Sequence, residues 1–450
     1  MKNYILILFA LITISCSFDN KTGIWNDASS IPTNEENIKI IESNNTNSRY
    51  ESIFTKSQLF NEEVDSTINS TQELDYPIVL NNWPEQYGTK TNNISNFLYN
   101  GKNILLSKSS KLSKRPLNKN IVFYENNLVS SDHKGQIFVY SLNLKKKVFE
   151  YDFYKNKFKN FEKKIYLTVS NKILYAADNI GYVYAIDLIN QNVIWAKNYG
   201  IPFRSNIKIV DEQILLANQD NVIYSINSKT GNKNWQFATS PTLLKSVFKN
   251  NFAINELGKN LFFLNTSGEL YSINYSNKKI NWVLNFKNSS LAEDTDLFLS
   301  NPIIIKNNNL LISTEKALLN YDPLTSAKNW SFPSNSTLKP ILTDNYTFTF
   351  STKNLLICIE NKTGKVLWSK DIYRELKETK KEIGNFYDFN ITNNKINLFS
   401  KKGYLLSFDF KNGNLEYIKK ISKNGLSSQI IFIKDNMFLI DTKNKLLKFN

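Results

Sequence analysis

Seven aromatic anchors recur along this chain at intervals of 38 to 49 residues, and that period restricts the fold more than any other property. They are Phe149, Trp195, Trp235, Trp282, Trp330, Trp368 and Tyr417. Ahead of each stands a short alternating run closed by an Asp, Asn or similar turn residue: Gly181 to Asp187, Asn221 to Asn227, Gly268 to Asn274, Ala317 to Asp322, Asn354 to Glu360 and Gly403 to Asp409. A degenerate first copy runs from Gly135 to Ser141. Alternation places side chains on opposite sides of a strand, so one face of each is expected to be buried. The turn residue accepts backbone hydrogen bonds, and the glycines at 231, 364 and 413 supply a positive φ. The following Trp is placed to seal one unit against the next. Two more strand-like runs precede each copy, such as 207–210 and 213–217, so the unit is four short antiparallel strands. Such a period suits one propeller blade.

The expected fold is therefore all-β, an eight-bladed β-propeller of four-stranded antiparallel blades. Seven units are complete. The last, at 430–433, 437–440 and 445–449, offers only three strands. An open sheet edge invites aggregation, so the ring must close. The run Asn103 to Ser107 can supply the missing strand from the N-terminal side. A seven-bladed ring with an extra strand pair is the competing count.

Aromatic residues make up 13% of the chain, which excludes a disordered protein. The formal charge is +16, but the lysines are scattered along the sequence, and short runs such as Lys145 to Lys147 and Lys380–Lys381 read as solvated turns. Net charge speaks to solubility and association rather than fold, and no nucleic-acid partner is expected.

The N-terminus reads as an address. A positive start at Lys2 leads into the apolar run Tyr4 to Ile14, then Ser15 and Cys16, which is the pattern of a secretory signal and too short to span a membrane. Residues 12–16 resemble a bacterial lipobox, with Thr13 where Leu is commoner. That resemblance implies that residues 1–15 are removed and that Cys16 carries the lipid. Residues 16–80 are rich in Asn, Ser, Thr and Glu and read as a flexible acidic tether; residues 81–450 form the propeller. The same resemblance implies that Ser17, following Cys16, favours the outer membrane.

The Tyr-x-Ile-Asp, Thr-Gly and Trp pattern resembles the repeat of quinoprotein-type (PQQ-like) propellers and lacks the Gly-His and Trp-Asp signatures of WD40 blades. Within that group the chain is similar to the BamB family, lipoproteins of the outer-membrane β-barrel assembly machinery. The features that carry this are Cys16, the segment Asn82 to Gly88 containing Trp83–Pro84, and the connection Gly200 to Arg204. The resemblance covers about residues 80–450. It implies a non-catalytic scaffold, monomeric within a hetero-complex. The scaffold is anchored at the outer membrane, faces the periplasm and docks on the periplasmic domains of the core assembly barrel protein. It also implies Ile201, Phe203 and Arg204 as partner contacts, with Arg204 suited to carboxylates or carbonyls. One departure is that Ala238 to Ser246 carries no acidic residue where the family can have one.

No catalytic chemistry emerges from the residues. His133 is the chain's single histidine and sits in a turn-like stretch. No phosphate loop, dinucleotide fingerprint or metal-ligand spacing is present. Cys358 falls in an apolar strand, and no adjacent cysteines occur. No cofactor or metal is expected. Two alternatives stay open: a quinoprotein-like dehydrogenase using a quinone and calcium, and a surface lipoprotein that binds a polysaccharide or another ligand.

Overall fold

Eight antiparallel sheets succeed one another along the chain, each ordered from an innermost to an outermost strand. The structure is a computed structural model. It describes residues 58–450 except 70, 156–157, 159, 241–244, 247–250, 287–297 and 375, plus the backbone of four short strands nearer the N-terminus. The blades span residues 122–152, 165–198, 208–238, 251–285, 304–332, 341–371, 386–420 and 431–449, and are numbered 1 to 8 in that order. Blade 8 takes its fourth strand from Leu105–Lys111, antiparallel to Lys445–Phe449. Eight blades and closure from the N-terminal side are thus as expected. The closing strand begins two residues later than Asn103 and runs on to Lys111.

One expectation needs correction. The alternating runs suggested one buried face, yet central strands such as Leu355–Glu360 are buried on both. A blade in a ring is sandwiched between two neighbours, so both faces of its middle strands meet protein. Only outermost strands, such as Asn192–Asn198, show the alternation of a half-wet sheet.

The tryptophan anchors seal the blades as expected, whereas Tyr417 at the equivalent position of blade 7 is 37% exposed. Trp195 Nε1 donates to Ser228 O at 2.9 Å, Trp330 Nε1 to Asn361 O at 2.7 Å and Trp368 Nε1 to Phe410 O at 2.9 Å, each acceptor lying in the next blade. Gly413 has φ +71, and a Cβ there would sit 2.5 Å from the Trp368 ring. The glycine thus serves the turn and also clears space for the preceding blade's indole. Asp187, Asn227, Asn274 and Asp322 each accept two backbone N–H groups of their turn, as read from sequence.

The segment preceding the ring is part of the architecture. Residues 1–15, read from sequence as a signal, lie outside the described residues. Cys16–Asp19 pairs with Ile24–Asp27 as a two-stranded sheet. Lys39–Ile40 adds in parallel to the outermost strand of blade 3, and Ser48–Tyr50 to that of blade 4. Residues 58–80, assigned from sequence to the tether, lie along the ring here. Phe60 N donates to Pro333 O at 2.7 Å, and Val64 pairs with Ser369 of blade 6.

Residues 80–99 then circle one end of the central channel and touch the first strand of every blade, or the turn that ends it. Lys434 N donates to Leu80 O, Trp83 pairs with Phe123, and Val169 N donates to Pro84 O. Lys208 Nζ meets Glu85 at 2.5 Å, Ile254 N bonds Lys90 O, and Ile305 N bonds Thr91 O. Asn93 exchanges two bonds with Leu342, and Phe97 N donates to Ile391 O. This plug forms the floor of the channel.

Candidate functional site

In a four-stranded blade, the hairpin between the second and third strands and the connection to the next blade emerge at the same end of the ring. Here that end is opposite the one the plug enters, and it holds Ile201, Phe203 and Arg204, in the connection from blade 2 to blade 3. Gly200 has φ +77 with open space around it, and Gly200 N is held by Asn198 Oδ1 at 2.8 Å. The chain then turns inward: Phe203 N donates to Asp178 O, and Arg204 N to Ala217 O, both at 3.0 Å.

The three residues are neighbours in space but differ in access. Phe203 is 0% exposed and packs edge-on against Tyr199 and Tyr224, with ring centroids 5.7 and 5.8 Å away. A side chain with no surface touches no partner of the closed ring, so Phe203 pins the connection instead of forming a contact. Ile201 is half-buried, and its backbone packs over Gly181. Arg204 is half-buried as well, with Nη2 3.2 Å from Gln219 Oε1. Burial lowers its pKa, and the neighbouring Tyr166 opposes that shift.

Between the plug and this end of the ring lies a pit of about 310 Å³. Trp83, Tyr87, Ile94 and Phe97 of the plug form its floor, and Lys339, Asp388 and Asn390 stand in its wall. Burial pushes Asp388 up to about 6 and Lys339 down to about 8. Asp388 accepts from Phe389 N at 2.8 Å and Ile430 N at 2.6 Å. It is the single carboxylate among the described lining residues. Calcium needs six to eight oxygen ligands, several of them usually carboxylates. One carboxylate already engaged by two N–H groups does not meet that need, and no three metal-ligating side chains cluster among the described residues. The pit therefore does not fit a calcium-held quinone.

Asp388 gives a pH prediction. Its folded pKa lies above the ordinary aspartate value of 3.8, so the folded state binds the extra proton. This group's contribution to stability is present at low pH and is lost as pH rises from about 4 through about 6. Asp388→Asn is expected to lose less stability than the parent between pH 4.5 and 7, read as paired urea midpoints. Identical pH slopes would show that Asp388 titrates normally.

Sequence reasoning missed one element of this end. In every blade a polar side chain after the second strand accepts backbone N–H groups of the following hairpin. Asp132, Asp178, Asn218, Asn265, Thr314, Ser351, Ser400 and Asp441 hold this position. The residue type varies while the acceptor role stays, which hides the pattern from a residue-by-residue comparison. His133 belongs to the first of these hairpins, 3.5 Å from Glu162. Cys358 is fully buried, and burial pushes its thiol well above the usual range.

The BamB protein of Moranella endobia (strain PCIT), an outer membrane protein assembly factor, is 20% identical over 299 residues, covering 61% of this chain and 72% of that protein. The crystal structure of BamB from Moraxella catarrhalis superposes with a TM-score of 0.60 at 13% identity, covering 77% of this chain and 99% of that one. The quinohemoprotein alcohol dehydrogenase of Comamonas testosteroni also gives 0.60, at 8% identity, over 82% of this chain and 80% of its own. These structural likenesses establish the propeller and are shared by an assembly factor and a dehydrogenase alike. The family profile described as outer membrane protein assembly factor BamB matches residues 111–370, more than half of the chain, and the chain belongs to that family.

Proposed function

We propose that this protein is a non-catalytic scaffold of outer-membrane β-barrel assembly, docking on the periplasmic domains of the core barrel component and aiding insertion of other barrels. Membership of the assembly-factor family is the observation that carries the reading. The pit supports it against a dehydrogenase, because a single engaged carboxylate suits neither calcium nor a quinone held by it. Cys16 would bear the lipid, placing the protein at the outer membrane with the ring in the periplasm and residues from 16 to about 80 linking the two. Ile201 and Arg204 would make the partner contact, with Phe203 holding their connection in place. No nucleic acid is involved, and the chain acts as one copy within a hetero-complex.

The test is purification of the tagged protein from detergent-solubilised membranes of its own cells. A barrel protein with periplasmic repeat domains should accompany it in near-stoichiometric amount; its absence would reopen the enzyme and ligand-binding readings. Arg204→Glu should weaken binding to those domains by roughly tenfold or more, the range of a partly desolvated interface arginine. Its thermal midpoint should be near the parent's. Unchanged affinity removes Arg204 from the contact.

A further inference from the structure

Lysines that look scattered in sequence converge at the open end of the ring. A continuous series of hydrogen bonds links the loops from blade 7 through blade 8 to blades 1 and 2. Leu426 N bonds Lys401 O, Asn424 Nδ2 bonds Asp441 Oδ2, and Asn444 Nδ2 bonds Arg115 O. His133 N then bonds Pro116 O, Lys163 N bonds His133 O, and Lys164 N bonds Asn179 Oδ1. Along this arc, ten exposed lysine or arginine side chains stand against two exposed carboxylates, Asp152 and Glu162, among the described residues, with a third, Glu382, beside Lys402 at the blade 7 end. The cations come from every loop in turn: Lys401 and Lys402, Lys443, Lys114 and Arg115, Lys134, Lys164. The other acids of these loops, Asp132, Asp178 and Asp441, are buried and engaged by hairpin N–H groups.

The opposite half of the ring shows what such cations take. There the chain's own acidic N-terminal segment pairs with blade 6 and the connection that follows it: Asp65 meets Lys370 at 3.0 Å and Glu63 meets Arg374. Among the described residues, no ion pair of this segment reaches the open-end loops of blades 7, 8, 1 and 2. The arc ends beside Asp178, whose carbonyl holds the connection bearing Ile201 and Arg204.

We infer that this cationic arc is a second, electrostatic part of the docking face, and that it receives an acidic surface of the partner's periplasmic domains. The inference rests on the proposed function and deepens it. Rim charges of this kind act chiefly on the rate of encounter and its salt dependence, while a partly buried residue such as Arg204 acts on dissociation.

The full-length protein with Arg115→Glu, Lys134→Glu and Lys402→Glu combined is the test, measured against the purified periplasmic domains of the core barrel protein from the same cells. Association should slow at least tenfold at low ionic strength. The difference from the parent should vanish near 1 M salt, where the Debye length is about 3 Å. The corresponding triple Gln variant should fall between the two, and thermal midpoints confirm folding of each. If the charge-reversed variant associates like the parent while Arg204→Glu is weakened, the arc is overturned and the scaffold reading stands. If the parent itself does not bind, both fall. If partner binding is unchanged but sedimentation with phosphatidylglycerol vesicles is lost, the arc faces lipid, and the inference is overturned in favour of a membrane contact.

Discussion

Glu85→Ala should destabilise the ring by about 3–5 kcal/mol, the cost of stranding one member of a buried ion pair. Lys208 is 0% exposed, and its ammonium lies 2.5 Å from Glu85 Oε2, 3.0 Å from Thr89 O and 2.8 Å from Asn92 Oδ1. Burial lowers the Lys208 pKa, and the Glu85 charge is the chief influence holding it up. Without that carboxylate the ammonium keeps two neutral acceptors in a site closed to water. It must then stay charged at a cost or lose its proton at a cost. Both partners could instead be replaced together, as Glu85→Leu with Lys208→Met. That exchange should recover much of the loss, because an apolar pair of similar volume needs no compensation. Urea unfolding of the two single variants and the double closes a thermodynamic cycle. A loss below about 1 kcal/mol for Glu85→Ala would mean that water reaches the pair and that the plug is not fixed by it.

Trp368→Ala should cost a similar amount, about 3–5 kcal/mol, for a different reason. The indole is 0% exposed, donates to Phe410 O and fills the space left by Gly413 in the following blade. Its removal leaves a cavity bounded by two sheets whose backbones are fixed by their own ladders, so little collapse can offset it. It also strands a carbonyl. Tyr417 occupies the same repeat position in the next blade but is 37% exposed, and Tyr417→Ala should cost less than about 1 kcal/mol. Equal losses at the two positions would sink the idea that the anchor works by sealing blades. The measurement is again the urea midpoint at constant slope.

The repeat made the ring legible because each blade solves the same packing problem with nearly the same residues. Trp330, Trp368 and Gly364 could be placed from spacing alone, since an indole and a glycine clearance meet across three of the blade boundaries. The plug was not legible. Residues 80–99 carry no period, because each contacts a different blade and meets a different chemical demand. Glu85 answers a lysine, Asn93 a backbone pair and Phe97 an aromatic stack with Phe432 at 5.2 Å. The connection from Gly200 to Arg204, proposed as the partner contact, was half legible. Phe203 and Arg204 adjoin in sequence and differ in exposure, since one side chain enters the core between blades and the next rises from it. The cationic arc escaped a linear reading because its residues come from loops far apart in the chain that meet only when the circle is complete.

The plug and the closing strand also fix the order in which this protein can be finished. Ribosomes release residues 80–111 well before the segments they bind. Phe97 waits for Ile391, Leu80 for Lys434, and Leu105–Lys111 for Lys445–Phe449. Until those last residues arrive, the growing array has an unpaired strand at its leading edge and an open hub. Contacts separated by some three hundred residues are slow to form, and half-built sheets with bare edges are prone to misassociate. The ring is therefore completed only by its last residues, when both ends of the chain are in hand.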